Sequence, residues 1–191
     1  MSLTPSLVLD NGMVLQPTNK AILGSLLDAY HEDETSAHSA LPWLDGGSDI
    51  RHQLSNMLHD IETQANLDQL HFWSIHTPEK DEFVGLIGLG DELQSLHSDY
   101  NLGYWVRGGF QRQGVAKTSV DSVFSWLNQR GNPINVEIAV HPHNAAGLAT
   151  AEAICSKWNG ERLPGYIGIE FNGRTVPHRL HMIELGRGET A

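Results

Sequence analysis

The tightest constraint on the fold is a change of pattern between residues 70 and 140. Three strand candidates, Leu70 to Thr77, Glu82 to Leu89 and Tyr100 to Val106, follow one another across turn-rich segments. Such a run predicts an antiparallel meander. The pattern then switches: Val115, Val120, Val123, Phe124 and Leu127 recur at helical spacing over Gly114 to Arg130, and the strand Ile134 to Val140 follows. A strand, helix, strand succession places the second strand parallel to the first. The sheet is therefore expected to be mixed, with its one parallel pair in the middle of the chain.

The flanks fit around this centre. Leu7 to Gln16 reads as a first strand or hairpin about Asn11 and Gly12, ending before Pro17. Thr18 or Asn19 caps a helix carrying Ile22, Leu23, Leu26, Leu27 and Tyr30, which the acidic patch Glu32 to Glu34 ends. After the apolar knot Leu41 to Leu44, Ser48 or Asp49 caps a second helix to about Ala65. Asn144 to Trp158 reads as a further helix, and strands are expected near Arg162 to Phe171 and Thr175 to Leu185. The class is α+β, and with no repeat or linker in 191 residues one domain over 1–191 is expected.

Composition narrows function by exclusion. Twelve Lys and Arg against 23 Asp and Glu leave a formal charge of −11, which disfavours nucleic acid, whose binding depends on neutralising phosphates. The single cysteine, Cys155, has no partner for a disulfide or a thiolate metal site and reads as core. No apolar run approaches the roughly 18 residues of a membrane span, and the first residues have no leader pattern, so a cytoplasmic protein with no membrane partner is expected. Eleven histidines are present, most of them scattered without metal-ligand spacing, and no metal is expected. His141 and His143, flanking Pro142, are the pair nearest to such a site.

The chemistry is concentrated in Leu102 to Ala116, a strand, a small-residue turn and a helix start. Gly114 allows close backbone approach, Ala116 adds little bulk, and the free N–H groups of the helix start favour an anion. Arg112 and Lys117 add charge, while Gln111 and Gln113 offer amide donors. A pyrophosphate fits such a cradle, although a lone glycine-rich turn is common in proteins that bind no phosphate.

Gln111, Gly114 and Ala116 match the cofactor motif Q/RxxGxG/A of GNAT acyltransferases, and Gly103 Tyr104 Trp105 Val106 is similar to the GYW segment of their RimJ/RimL-like branch. Leu41 Pro42 Trp43 resembles that branch near the N-terminus, and the likeness runs on through Asn135 to Val140 into Asn144. This resemblance implies a central mixed, mostly antiparallel sheet whose central parallel strands splay apart, flanked by about four helices. It implies acetyl-CoA as cosubstrate, with Tyr104, Trp105 and Val106 beside the acyl group and Gln111, Arg112, Gln113, Gly114, Val115, Ala116 and Lys117 around the pyrophosphate. Asn144 would lie near the pantetheine or the thiolate, and a homodimer is plausible by the same likeness.

The implied reaction is direct attack of a primary amine, on a protein N-terminus or a small molecule, at the acetyl thioester. Its catalytic candidates are Glu137 as general base, Asn144, and Tyr166 as proton donor to sulfur; His141 or His143 could act through water. Glu137 reads equally as a paired strand carboxylate, Asn144 as a helix cap, and Tyr166 as a core aromatic. Three departures from the family stand out. Gly147 occupies the place of a serine, Lys157 Trp158 Asn159 Gly160 replaces the usual helix ending, and Pro177 and His178 replace an aspartate. They motivate an alternative, a catalytically weak or inactive acyl-CoA-binding sensor.

Overall fold

The computed structural model describes residues 3–79 and 81–187. Strands β1 (Leu7–Val8) and β2 (Val14–Pro17) form a hairpin, and its turn places Gly12 at φ +83° while Asn11 Oδ1 accepts the Met13 N–H. The second strand runs into Pro17. Asn19 then caps a short turn of 3-10 helix that leads into α1 (Leu23–Glu32).

The acidic patch does more than end that helix. Asp33 accepts the Ser36 N–H and so caps a further helix, α2 (Glu34–Ala40), absent from the sequence expectation. With α3 (Ile50–Ala65, capped by Asp49), β3 (His71–His76), β4 (Phe83–Gly90), β5 (Tyr100–Val106), α4 (Val115–Gln129), β6 (Ile134–Val140) and α5 (Ala145–Trp158), the helices number five among the described residues. The tail also differs from expectation. The strand expected over 162–171 is broken at Pro164 and Gly165, whose φ is +77°, into β7 (Glu161–Arg162) and β8 (Ile167–Phe171), and β9 (Arg174–Leu185) follows.

The sheet order is β1-β2-β3-β4-β5-β6-β9-β7, with β8 paired to the first half of β9. Strands β1 to β5 form the antiparallel meander, and β6 lies parallel to β5. That parallel ladder has only two pairs, Tyr100↔Val136 and Asn101↔Glu137. Both strands continue past it, so they part toward their carboxyl ends. β6 is held instead by β9, in register from Ile134↔Leu185 to Val140↔Arg179.

Strand alternation sorts the core into two layers. Leu102 and Val106 of β5, Val136, Ile138 and Val140 of β6 and Ile183 of β9 pack with the apolar faces of α4 and α5. Phe83, Leu86 and Trp105 pack on the opposite side with α1, α2 and α3, where Leu44 and the partly buried Leu41 and Trp43 complete the cluster. Gly85 lets β4 approach β5 there, since a Cβ would stand 2.1 Å from the Trp105 carbonyl oxygen.

A polar chain that runs outward from a buried histidine joins the meander to α4. His71 is fully buried, with Nδ1 2.8 Å from Thr4 Oγ1 and Nε2 2.9 Å from Asp68 Oδ1, and Arg130 pairs with the same carboxylate. Burial holds His71 below the ordinary histidine value of 6.5, against the opposing pull of Asp68. His181 is likewise fully buried and lowered by burial, with only a loose contact to the Ile138 carbonyl.

Such groups bind a proton more readily once unfolded, so their contribution is complete above about pH 6.5 and declines as pH falls from there toward the depressed folded values. The melting temperature is expected to drop between pH 7.5 and 5.5. A flat profile across that window would show that burial of these imidazoles has no thermodynamic consequence.

Candidate active site

The small-residue turn meets a helix start at Gly114. Gly114 is the residue before α4 and is left-handed at φ +75°, with no atom within 4 Å of where a Cβ would stand. Space therefore opens at a helix start whose first free N–H groups belong to Val115, Ala116 and Lys117; the Thr118 N–H is the first to bond inward, to the Gly114 carbonyl. Val115 is buried as an anchor, while Arg112 and Lys117 are exposed beside the opening. Arg112 too is left-handed, at φ +61°.

The two glutamines act differently from expected amide donors to a ligand. Gln111 Nε2 donates to the Val106 carbonyl at 2.8 Å and Gln113 Nε2 to that of Gly109 at 3.1 Å. Their amides shape the loop, leaving anion contact to backbone N–H groups and nearby cations. Spaced donors, an open glycine and two exposed cations fit the pyrophosphate of coenzyme A.

Beyond the two-pair ladder, the parted ends of β5 and β6 provide the room for an arm. Tyr104, Trp105 and Val106 line the β5 side. Tyr104 faces α5, and burial, with Cys155 adding a smaller push, raises its phenol well above the usual range. Cys155 is buried in the same layer with its thiol raised by burial and then by Glu152 and Glu161, which suits packing and not nucleophilic attack. Trp105 faces the other way and donates Nε1–H to Ser36 Oγ of α2.

Arg107 has no counterpart in the sequence expectation. Its guanidinium bonds the Phe83 carbonyl at 2.9 Å and pairs with Glu32 at the α1–α2 corner, tying that acidic corner to the strand end that feeds the phosphate loop. Its signal in sequence is only a cation after a strand, and its partner is 75 residues away.

Glu137 is fully buried on the Trp105 side. Its two carboxylate oxygens accept the Gln94 N–H at 2.9 and 3.0 Å; Oε1 also accepts the Ser95 N–H at 3.0 Å and Oε2 the Asn101 Nδ2–H at 3.0 Å. Of the two sequence readings, paired strand carboxylate and general base, this geometry favours the first. Among the described residues, the donors that reach it come from the β4–β5 loop and β5.

Asn144 caps α5, its Oδ1 accepting the Gly147 N–H at 2.9 Å. The cap packs closely on Gly147, where a Cβ would stand 2.5 Å from Asn144 Nδ2 and 3.0 Å from Val140 Cγ1, so a side chain there would require the Asn144 amide to shift. The altered ending of α5 has its own reason. Asn159 closes the helix left-handed at φ +54°, Trp158 and Lys157 both bind Asp121 of α4, and a Cβ on Gly160 would meet Ile183 at 2.7 Å.

Tyr166 is 58% exposed and not a core aromatic. The Arg179 guanidinium lies 4.0 Å over its ring and also binds the Gly165 carbonyl. The histidines that flank Pro142 belong to a larger group: His141 and His143 have ring centroids 5.4 Å apart, and His141 meets His178 of β9 edge-to-face at 5.7 Å. Among the described residues no group of three or more His, Cys, Asp or Glu is placed to hold a metal ion, and no helix is long and apolar enough to cross a membrane.

Known proteins share this fold. The solved RimL ribosomal L7/L12 alpha-N-protein acetyltransferase in complex with coenzyme A superposes with a TM-score of 0.78 at 14% identity, over 96% of this chain and all of that one. The acetyltransferase from Salmonella typhimurium that modifies the N-terminal serine of ribosomal protein L7/L12 gives 0.74 at 15%, over 94% and 98%. RimJ from Mycobacterium smegmatis gives 0.70 at 18%, over 98% and 89%. No curated protein matches in sequence. The model of the acetyltransferase (GNAT) domain family matches residues 13–154, about three quarters of the chain and all of the cradle. The chain therefore belongs to the GNAT acetyltransferase family, whose acetyl donor is acetyl-CoA.

Proposed function

We propose that this enzyme acetylates a primary amine, foremost the N-terminal amine of a protein, by direct transfer within a ternary complex in the cytoplasm. The observation that carries the reading is the pairing of an open helix-start cradle at Gly114 with parallel strands that part beyond Asn101↔Glu137. Likeness to RimL and RimJ structures directs it to protein N-termini. Acetyl-CoA, when bound, supplies the activated acetyl group. The chain itself supplies the N–H groups of Val115 to Lys117 for the diphosphate, flanked by Arg112 and Lys117, and wall positions at Tyr104, Trp105 and Val106.

On the acceptor side the fastening of Glu32 to Arg107, and of Ser36 to Trp105, gives the α1–α2 corner a fixed place beside the parted strands. Glu34 and the other exposed acids of that corner favour approach of an ammonium group. Asn144 positions the start of α5. Glu137 is assigned the positioning of the β4–β5 loop, and Tyr166 remains the candidate proton donor to sulfur.

Short peptides with free N-terminal serine or alanine, mixed with enzyme and acetyl-CoA, are expected to gain one acetyl group with stoichiometric release of thiol. Small amines run in parallel separate the two acceptor classes. A second reading, an acyl-CoA sensor with little turnover, draws support from Gly147. It predicts tight coenzyme A binding with no thiol release from any acceptor, the outcome that would sink the transferase reading.

A further inference from the structure

The replacement of the family's aspartate by Pro177 and His178 has a structural counterpart at the open end of the site. His178 follows the β9 alternation of Leu180 and Met182, and Met182 is paired with Glu137, so all three lie on the face of Glu137 and Trp105. The β6–β9 ladder ends at Val140↔Arg179, and one step beyond it His141 and His178 meet. They thus stand at the carboxyl end of β6, the end at which β5 and β6 part and where open sheets of this kind take their ligands.

Their backbone contacts assign the protons. His178 Nδ1 lies 3.0 Å from the Val176 carbonyl, which can only accept, so Nδ1 carries the hydrogen and Nε2 of the neutral ring is bare. His141 Nδ1 accepts the His143 N–H at 3.1 Å, so the neutral ring of His141 carries its hydrogen on Nε2. One imidazole is poised to take a proton and its neighbour to give one. Phe171 packs edge-on against His178 at 5.8 Å, and the ring is only 7% exposed.

We propose that His178 Nε2 is the proton acceptor for the attacking amine. The assignment rests on the transferase reading above and names the base for it. The acceptor's ammonium gives one proton to His178 Nε2. The freed nitrogen lone pair forms the N–C bond to the acetyl carbon while the C–S bond breaks, and the electron pair leaves on sulfur as thiolate. The second proton of that nitrogen is shed as the amide forms, and the thiolate takes one proton, so that acetylated amine and free thiol result.

Burial keeps His178 below its ordinary value of 6.5, with His141 adding to the effect and the Val176 carbonyl opposing it, so the ring is neutral and basic at neutral pH. The groups facing it are His141 from the β6–α5 loop, Phe171 of β8 and the Val176 carbonyl of β9.

The test is the pH profile of kcat with a peptide bearing a free N-terminal serine, in wild type, His178→Ala and His178→Gln. An acid limb below pH 6.5 is expected in the wild type, and its loss in both variants. The fall in kcat should be about 100-fold, the usual scale for a lost general base. Coenzyme A affinity by calorimetry and the melting temperature of the glutamine variant should stay near wild type, and added imidazole should restore turnover to the alanine variant. An NMR titration locating the limb's midpoint on His178 completes the case without turnover. Wild-type kcat and an unchanged limb in a folded variant would overturn this assignment alone, whereas a wild type that binds coenzyme A yet acetylates nothing would overturn the transferase reading and the assignment with it.

Discussion

Gly114→Asp is expected to lower coenzyme A affinity by about two orders of magnitude while the protein stays folded. The position is left-handed, and a Cβ there meets nothing within 4 Å, so the new carboxylate would project into the space before α4 and not into the core. A unit charge about 5 Å from a diphosphate oxygen, at an effective dielectric near 20, costs roughly 3 kcal/mol, which corresponds to the predicted loss. The backbone strain of a side chain at this φ is of order 1 kcal/mol. Gly114→Ala separates the two effects, because it adds the strain without the charge. Calorimetric titration of all three proteins should rank them wild type, alanine, aspartate, with only the last losing most of its affinity. Undiminished binding by a folded aspartate variant would remove the cradle from the binding site.

The second large effect concerns stability. Glu137→Ala deletes an acceptor on which two backbone N–H groups and the Asn101 amide converge, in a fully buried place. Orphaning these donors is expected to cost about 3 kcal/mol, visible as a lower denaturant midpoint. The amides of Gln94 and Ser95 should exchange hydrogen much faster in the variant. Glu137→Gln distinguishes position from chemistry, since it keeps shape and one acceptor oxygen but cannot take up a proton as a base does. A glutamine variant of near-normal stability that binds coenzyme A but has lost turnover would restore Glu137 to the role of base.

The parts of this site that are local in sequence were legible in it. Strand, turn and helix from Leu102 to Ala116 declare themselves through period, small residues and the left-handed requirement at Gly114, all within fifteen positions. The parallel placement of β6 followed from one crossover rule. What escaped depends on partners far apart in the chain or on a residue with two local uses. Asp33, inside an acidic patch, caps α2, and three adjacent acids read more readily as a break than as a beginning. Glu137 could be a base or a clamp until its donors from the β4–β5 loop were in place. Gly147 read only as a lost hydroxyl, and its close contact with the folded Asn144 cap could not be seen in sequence. His178 became a candidate only through the β6–β9 register, which joins residues some forty positions apart.

The dependence of β6 on β9 also bears on how the protein is made. A strand held to its parallel neighbour by two pairs has its full antiparallel partner in residues 179–185, which are synthesised some forty residues or more after it. Contacts of such separation form late, after the loop between them has been closed. A nascent chain that has exposed the Gly114 helix start but not yet Arg179 to Leu185 therefore owns a phosphate cradle facing an unsupported wall. Acetyl-donor binding should arise only once β9 has emerged and paired with β6, which makes the ligand a reporter of that pairing.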